Sequence, residues 1–132
     1  MQPPFNILCV DDHFDSVTML KLLLEMDGCD VTVAYTGKEA LEVLKHGHFD
    51  LYILDIHMPD MTGLELCGKL REHDQHAPIV IYSAGIYEKE KEEGYKCGVT
   101  MFTSKPEGLG TIVEIANAMR NDKHNPAEIM LS

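Results

Sequence analysis

Leu51-Tyr52-Ile53-Leu54-Asp55 is four apolar residues closed by a carboxylate. An apolar run without alternation suits a parallel strand covered on both faces. Working back toward the amino terminus, Phe5-Asn6-Ile7-Leu8-Cys9-Val10 repeats the pattern and stops at Asp11-Asp12. Val31-Thr32-Val33-Ala34-Tyr35 reads as a strand between them. Toward the carboxyl terminus, Pro78 precedes Ile79-Val80-Ile81-Tyr82, which stops at Ser83. Val99 to Thr103 is a fifth short strand, leading to Lys105-Pro106.

Helical signals fill the gaps. Met19, Leu22, Leu23 and Met26 recur at i, i+3, i+4, i+7, with Val17, Leu20 and Leu24 widening the stripe and Gly28 as its stop. Thr36-Gly37-Lys38-Glu39 and Thr62-Gly63-Leu64-Glu65 are capping boxes, each predicting a helix start. Ala40, Val43 and Leu44 give the second helix its apolar side; Leu66, Cys67 and Leu70 serve the third. Leu109, Ile112, Val113 and Ala116 mark the last helix. Ile86 to Cys97 is the weakest helical stretch, with few apolar positions, a Glu–Lys run and Gly94 near its middle. A glycine there costs about 1 kcal/mol against alanine. The stretch reads either as a mobile switch element or as a solvated face held by ion pairs.

Five strands alternating with five helices predict an α/β domain: a doubly wound, flavodoxin-like parallel sheet of order 2-1-3-4-5. Ligand sites in this topology lie beyond the carboxyl ends of the strands. The 132 residues suit one domain. Residues 1–124 are assigned to it and 125–132 to a tail.

Twenty-two acidic against 11 basic residues give a formal net charge of −11. That charge disfavours the phosphate backbone of nucleic acids and anionic membrane surfaces. No apolar run approaches the roughly 18 residues that span a bilayer. Four cysteines at 9, 29, 67 and 97 form no C-x-x-C pair and read as buried thiols of a reducing cytoplasm. His46, His48, His73 and His76 read as surface histidines, and the methionines as core filling.

The polar residues at the strand ends carry the chemistry. Asp11, Asp12 and Asp55 converge if the first and third strands are neighbours. Two unit charges 4 Å apart repel by roughly 4 kcal/mol at an effective dielectric of about 20. Such crowding calls for raised pKa values or a cation. An all-oxygen donor set that keeps several waters suits Mg²⁺. Lys105 adds a positive charge, and Ser83 with the backbone N–H after it, at Ala84, offers donors to an anion. Carboxylates, a metal, an ammonium and a hydroxyl together describe phosphoryl transfer, with Asp55 as the nucleophile.

These residues resemble the receiver domain of two-component response regulators. The resemblance rests on Ile7-Leu8-Cys9-Val10-Asp11-Asp12, Leu54-Asp55-Ile56-His57-Met58-Pro59 with Gly63, Ile81-Tyr82-Ser83-Ala84-Gly85, and Phe102-Thr103-Ser104-Lys105-Pro106, and covers residues 5–122. It implies that Asp55 is the phosphoacceptor. Asp12, Asp55 and the backbone carbonyl of His57 would hold Mg²⁺, with Asp11 acting through water. Ser83, Ala84 and Lys105 would bind the phosphoryl group. Ser83 and Phe102 would be the switch pair, and the Lys105-Pro106 peptide cis. The implied donor is a histidine kinase or histidine phosphotransfer protein. The implied output is a downstream effector on the face of helix 4, strand 5 and helix 5. Neither direct nucleic-acid binding nor membrane association is implied, and a cytoplasmic location is.

His57 departs from the usual pattern and is read either as a modulator of phosphoryl lifetime or as a solvated loop residue. Three rivals stand beside the receiver reading. A flavodoxin-like cofactor binder would want a Ser/Thr/Gly-rich phosphate loop where Asp11-Asp12-His13-Phe14-Asp15 stands. A hydrolase with an aspartate nucleophile commonly has a second aspartate two positions on, where this chain has His57. A degenerate, phosphate-independent receiver would act as an interaction module only. No turnover of an external substrate is expected, only Mg²⁺-dependent self-phosphorylation and autodephosphorylation at Asp55.

Overall fold

The computed structural model describes residues 4–121. Five strands and five helices alternate: β1 (Asn6–Val10), α1 (Phe14–Met26), β2 (Asp30–Ala34), α2 (Gly37–Leu44), β3 (Leu51–Leu54), α3 (Gly63–His73), β4 (Ile79–Ser83), α4 (Glu88–Cys97), β5 (Met101–Ser104) and α5 (Leu109–Asn121). The sheet order is β2-β1-β3-β4-β5, with every pairing parallel. The expected topology is therefore present. The proposed tail, residues 125–132, lies outside the described residues.

All four residues of β3 are buried, as are all five of β4. Two apolar layers account for this. On one face Leu8, Leu54 and Ile81 pack with Ala40 of α2 and Leu66, Cys67 and Leu70 of α3. On the other, Cys9, Ile53 and Val80 pack with Val17, Leu20 and Leu24 of α1 and Ile112 and Ala116 of α5. Side chains alternate across a strand, so neighbouring residues serve opposite layers and the runs stay apolar up to Ser83, which closes β4 at the site end.

The predicted caps form. Thr36 Oγ1 accepts from Glu39 N at 3.0 Å, and Thr62 Oγ1 from Glu65 N at 3.1 Å. Glu39 reaches back to Tyr35 N, one residue beyond the cap. Asp60, in the loop after β3, accepts from Gly37 N at 3.1 Å and Lys38 N at 2.8 Å. Three of the four amide donors that open α2 are thus satisfied by side chains, and Ala40 N bonds Thr36 O.

Three expectations are corrected. The apolar stripe of α1 that faces the sheet is Val17, Leu20 and Leu24, while Met19, Leu22 and Met26 are exposed, Met26 at 73%. This helix carries two overlapping periodic stripes, and periodicity alone does not say which one meets the sheet. Met19 and Met26 consequently do not fill core. Cys97 is exposed at the end of α4, whereas Cys9, Cys29 and Cys67 are buried as expected. The fifth strand begins at Met101, and Val99, just before it, is buried in the α2–α3 layer.

Candidate functional site

The register of the sheet assembles the polar residues. Val10 pairs with Leu54, so Asp11 and Asp55 leave adjacent strands side by side. Ser83 ends β4 beside Ser104 of β5, and Lys105 follows directly. Asp11, Asp55 and Ser83 are 6%, 3% and 1% exposed, a degree of burial that carboxylates reach only with partners. Asp55 and Ser83 border a cleft of about 560 Å³ that Lys105, His57, Ala84 and His13 also line; Asp11 lies behind Lys105.

The two oxygens of Asp55 are treated differently. Oδ1 accepts the Ser83 hydroxyl at 2.6 Å and the Ile56 N–H at 2.9 Å. Oδ2 looks into the cleft, 3.8 Å from Lys105 Nζ and 3.5 Å from His13 Nδ1. The closer partner of Lys105 is Asp11, whose Oδ2 accepts from Nζ at 2.6 Å. The ammonium also stands 5.7 Å from the centroid of the Tyr82 ring. Burial, and after it the charge of Asp11, raises the Asp55 pKa against the lowering pull of the Ser83 hydroxyl, Lys105 and the Ile56 N–H. Burial likewise raises the Tyr82 pKa, helped by Asp11 and Glu107.

Gly63 fixes how near the next helix comes. Its N–H donates to Ile56 O at 2.7 Å, and a Cβ there would run into the backbone carbonyl of Asp55. Only glycine lets α3 start against the strand end that carries the carboxylate.

Asp11, Asp12, His13 and Asp55 each present a ligand atom, all within 4.8 Å of one another. Three carboxylates against the single ammonium of Lys105 leave an excess of negative charge, and hard oxygen donors suit a hard divalent cation. The acidic cluster therefore fits a metal. His57 follows Asp55 by two residues, with its side chain exposed and its Nε2 3.8 Å from Glu90 Oε2 at the start of α4. No cluster of metal-ligating residues forms around His46, His48, His73 or His76 among the described residues.

Phe102 is half-buried against the layer that includes α2 and α3. Its ring meets Tyr95 edge-on, centroids 5.2 Å apart at 75°. Gly94 is buried in mid-α4, and a Cβ on it would collide with Phe102 Cζ. The glycine read as a weakness of the helix is the seat of the aromatic ring. The Lys105–Pro106 peptide is cis, as expected.

Every predicted side chain of the cleft lies around the strand ends, and Phe102 sits one layer away beneath α4. The sequence reading passes over the placement of His13 and the packing role of Gly94. The signal for His13 was its place directly after Asp11-Asp12, in a loop read only for its charge. His13 is the N-cap residue of α1, yet its ring makes no cap bond and turns over the carboxylates instead. Its pKa is raised, first by the hydrogen bond with Asp11 and further by the charge of Asp12.

The fold and the strand-end cluster define a doubly wound α/β domain with an acidic, lysine-bearing cleft at a topological switch point. The family model described as response regulator receiver domain matches residues 7–117. The chain is 40% identical over 101 residues to the sensor protein EvgS of Escherichia coli K12, covering 76% of this chain and 8% of that protein. It is 39% identical over 107 residues to the aerobic respiration control sensor ArcB of the same strain, covering 79% and 14%. It therefore spans a small part of the length of these relatives. Among solved structures, chemotaxis protein CheY4 of Vibrio cholerae superposes with a TM-score of 0.80 at 30% identity, covering 85% of this chain and 95% of that one. A CheY-like receiver from Methanospirillum hungatei JF-1 shares the fold at a TM-score of 0.84 and 24% identity, covering 90% and 95%. The chain belongs to the receiver domain family of two-component response regulators. Among the described residues no helix is long and apolar enough to cross a membrane.

Proposed function

We propose that Asp55 accepts a phosphoryl group from a phosphohistidine, and that residues 1–124 act as a switch whose partner affinity depends on that charge. One observation carries the reading: a buried carboxylate has one oxygen held by the Ser83 hydroxyl and the other turned toward an ammonium in an open cleft. Asp55 Oδ2 attacks phosphorus in line; the O–P bond forms as the P–N bond to the donor imidazole breaks, and the imidazole leaves with the electron pair and takes up a proton. Lys105 Nζ pairs with a phosphoryl oxygen. The Ser83 hydroxyl turns from Asp55 Oδ1 to another, joined by the backbone N–H of Ala84. Water later cleaves the acyl phosphate and returns the carboxylate.

Mg²⁺ fits the acidic donor set: Asp12, Asp55 and the His57 carbonyl would hold it, with Asp11 acting through water, and it would supply charge neutralisation at the transferring group. His57 stands beside this loop and modulates how long the phosphoryl group survives. As Ser83 moves, the space beside it draws Phe102 inward and alters the face of α4, β5 and α5. Such a shift requires contacts that differ between the two states. The donor is a histidine kinase or histidine phosphotransfer protein, the reader a downstream effector protein, and the setting cytoplasmic.

Acetyl phosphate with MgCl2 supplies the test. Phosphate-affinity gel retardation of the wild type, absent in Asp55→Asn, supports the reading. Equal mobility of the two proteins would return the chain to a phosphate-independent interaction module.

A further inference from the structure

We propose that His13 is an inner-sphere ligand of the divalent-ion site, giving it a nitrogen donor and tilting its preference from Mg²⁺ toward first-row transition ions. This rests on the reading of the acidic cluster as a metal site.

The argument is one of spacing. His13 Nδ1 lies 3.1 Å from Asp11 Oδ1, 3.2 Å from Asp12 Oδ1 and 3.5 Å from Asp55 Oδ2. In an octahedral site with bonds of about 2.1 Å, neighbouring ligand atoms stand about 3 Å apart. The imidazole nitrogen therefore keeps, to Asp12 and Asp55, nearly the separation of adjacent ligands around one ion. A ring serving only as an N-cap would accept from the amides of α1, and this one does not. Without an ion the ring hydrogen-bonds Asp11 at 3.1 Å and pairs with the other two carboxylates, and that same placement sets Nδ1 beside any ion held between Asp12 and Asp55.

Donor chemistry gives the consequence. Mg²⁺ binds oxygen and dehydrates reluctantly, so an imidazole adds little to its affinity. Imidazole suits later first-row ions, whose affinity for nitrogen sites rises along the series. With Asp12, Asp55 and the His57 carbonyl as oxygen donors and Asp11 acting through water, His13 makes the site mixed N/O and is the residue that distinguishes it from an all-oxygen one.

Calorimetric titration with MgCl2 and with CoCl2 tests this on the wild type, His13→Gln and Asp55→Asn. Asp55→Asn defines which binding belongs to the cleft, since other histidines can also take Co²⁺. The expected result is a fall of about tenfold or more in Asp55-dependent Co²⁺ affinity in His13→Gln, with Mg²⁺ affinity held within about twofold. The visible absorption of bound Co²⁺ should shift in the same variant. An unchanged Co²⁺ to Mg²⁺ ratio, or equal losses for both ions, would overturn the role of His13 while leaving the metal site standing. Absence of any Asp55-dependent binding in the wild type would remove the metal site itself.

Discussion

Gly94 is the space into which the ring of Phe102 fits: one residue has no Cβ, and the other places Cζ where that Cβ would be. The relationship makes opposite predictions for one substitution in two backgrounds. In the wild type, Gly94→Ala should lower stability by about 1 kcal/mol, because the overpacking cost of roughly 1–3 kcal/mol outweighs the helix gain. The near-UV circular dichroism of the Tyr95–Phe102 pair should change as the ring is displaced. In Phe102→Ala the same substitution should stabilise by about 1 kcal/mol, the propensity term alone. Urea unfolding of the four proteins measures the coupling; additive effects would dismiss the seat.

Lys105 gives the second prediction. It is the ammonium against Asp11 and Asp55, both nearly inaccessible to solvent. Removing one partner of a buried pair leaves a charge uncompensated and costs about 3–5 kcal/mol; the cleft is open on one side, so Lys105→Met should sit at the lower end, about 3 kcal/mol. A divalent cation supplies charge to the same carboxylates. MgCl2 should accordingly restore more stability to Lys105→Met than it adds to the wild type, although phosphoryl acceptance stays impaired. Chemical denaturation with and without MgCl2 reads the first statement, and phosphate-affinity gels the second.

Much of this was written in the chain. Burial on both faces makes β3 and β4 continuous apolar runs, and the register then brings Asp11, Asp55, Ser83 and Lys105 to one end, so strand order and cleft were legible together. What stayed hidden depends on direction rather than spacing. Nothing local told α1 to bury Val17, Leu20 and Leu24 in preference to Met19, Leu22 and Met26. The ring of His13 turns toward charges set by strand pairing, and the worth of Gly94 depends on Phe102 from another element. Asp60 was equally opaque, since its partners lie 22 and 23 residues away.

Asp60 predicts a pH dependence. Slight burial raises its pKa, but the N–H groups of Lys38 and Gly37 prevail and hold it below the ordinary range. A carboxyl lowered on folding stabilises above its unfolded pKa of about 3.9 and loses that contribution as pH falls through the lower folded value. Asp60→Ala should therefore cost about 0.5–1 kcal/mol at pH 7, a cap's contribution toward the low end because the group is exposed. The gap between the two proteins should narrow below about pH 4 and close at stronger acid. Thermal melts from pH 7 to pH 2.5 measure it, and a gap constant with pH would show that the bonds to α2 carry no charge contribution.

Arg71 holds the other end of the sheet together. Its Nε and Nη2 donate to Gly98 O at 3.0 and 2.7 Å, and its Nη1 to Ala77 O at 2.6 Å and Asp74 O at 3.2 Å. One guanidinium thus joins α3, the turn into β4 and the residue that closes α4. Three carbonyls depend on it, and water can replace only part of what they lose. Arg71→Ala should cost about 2–3 kcal/mol, in the range of charge-assisted hydrogen bonds. Lysine has no planar fork and cannot reach carbonyls on both sides at once, so Arg71→Lys should recover less than half of that. Ala77 precedes β4 and Gly98 precedes β5, so the group lies at the amino ends of strands whose carboxyl ends border the cleft. Both variants, held under folding conditions, should accept a phosphoryl group from acetyl phosphate as the wild type does. Denaturant midpoints lowered in the order Arg, Lys, Ala with phosphoryl acceptance unchanged would establish Arg71 as a tie of the scaffold; a loss of acceptance in fully folded Arg71→Lys would instead connect the two ends of the sheet.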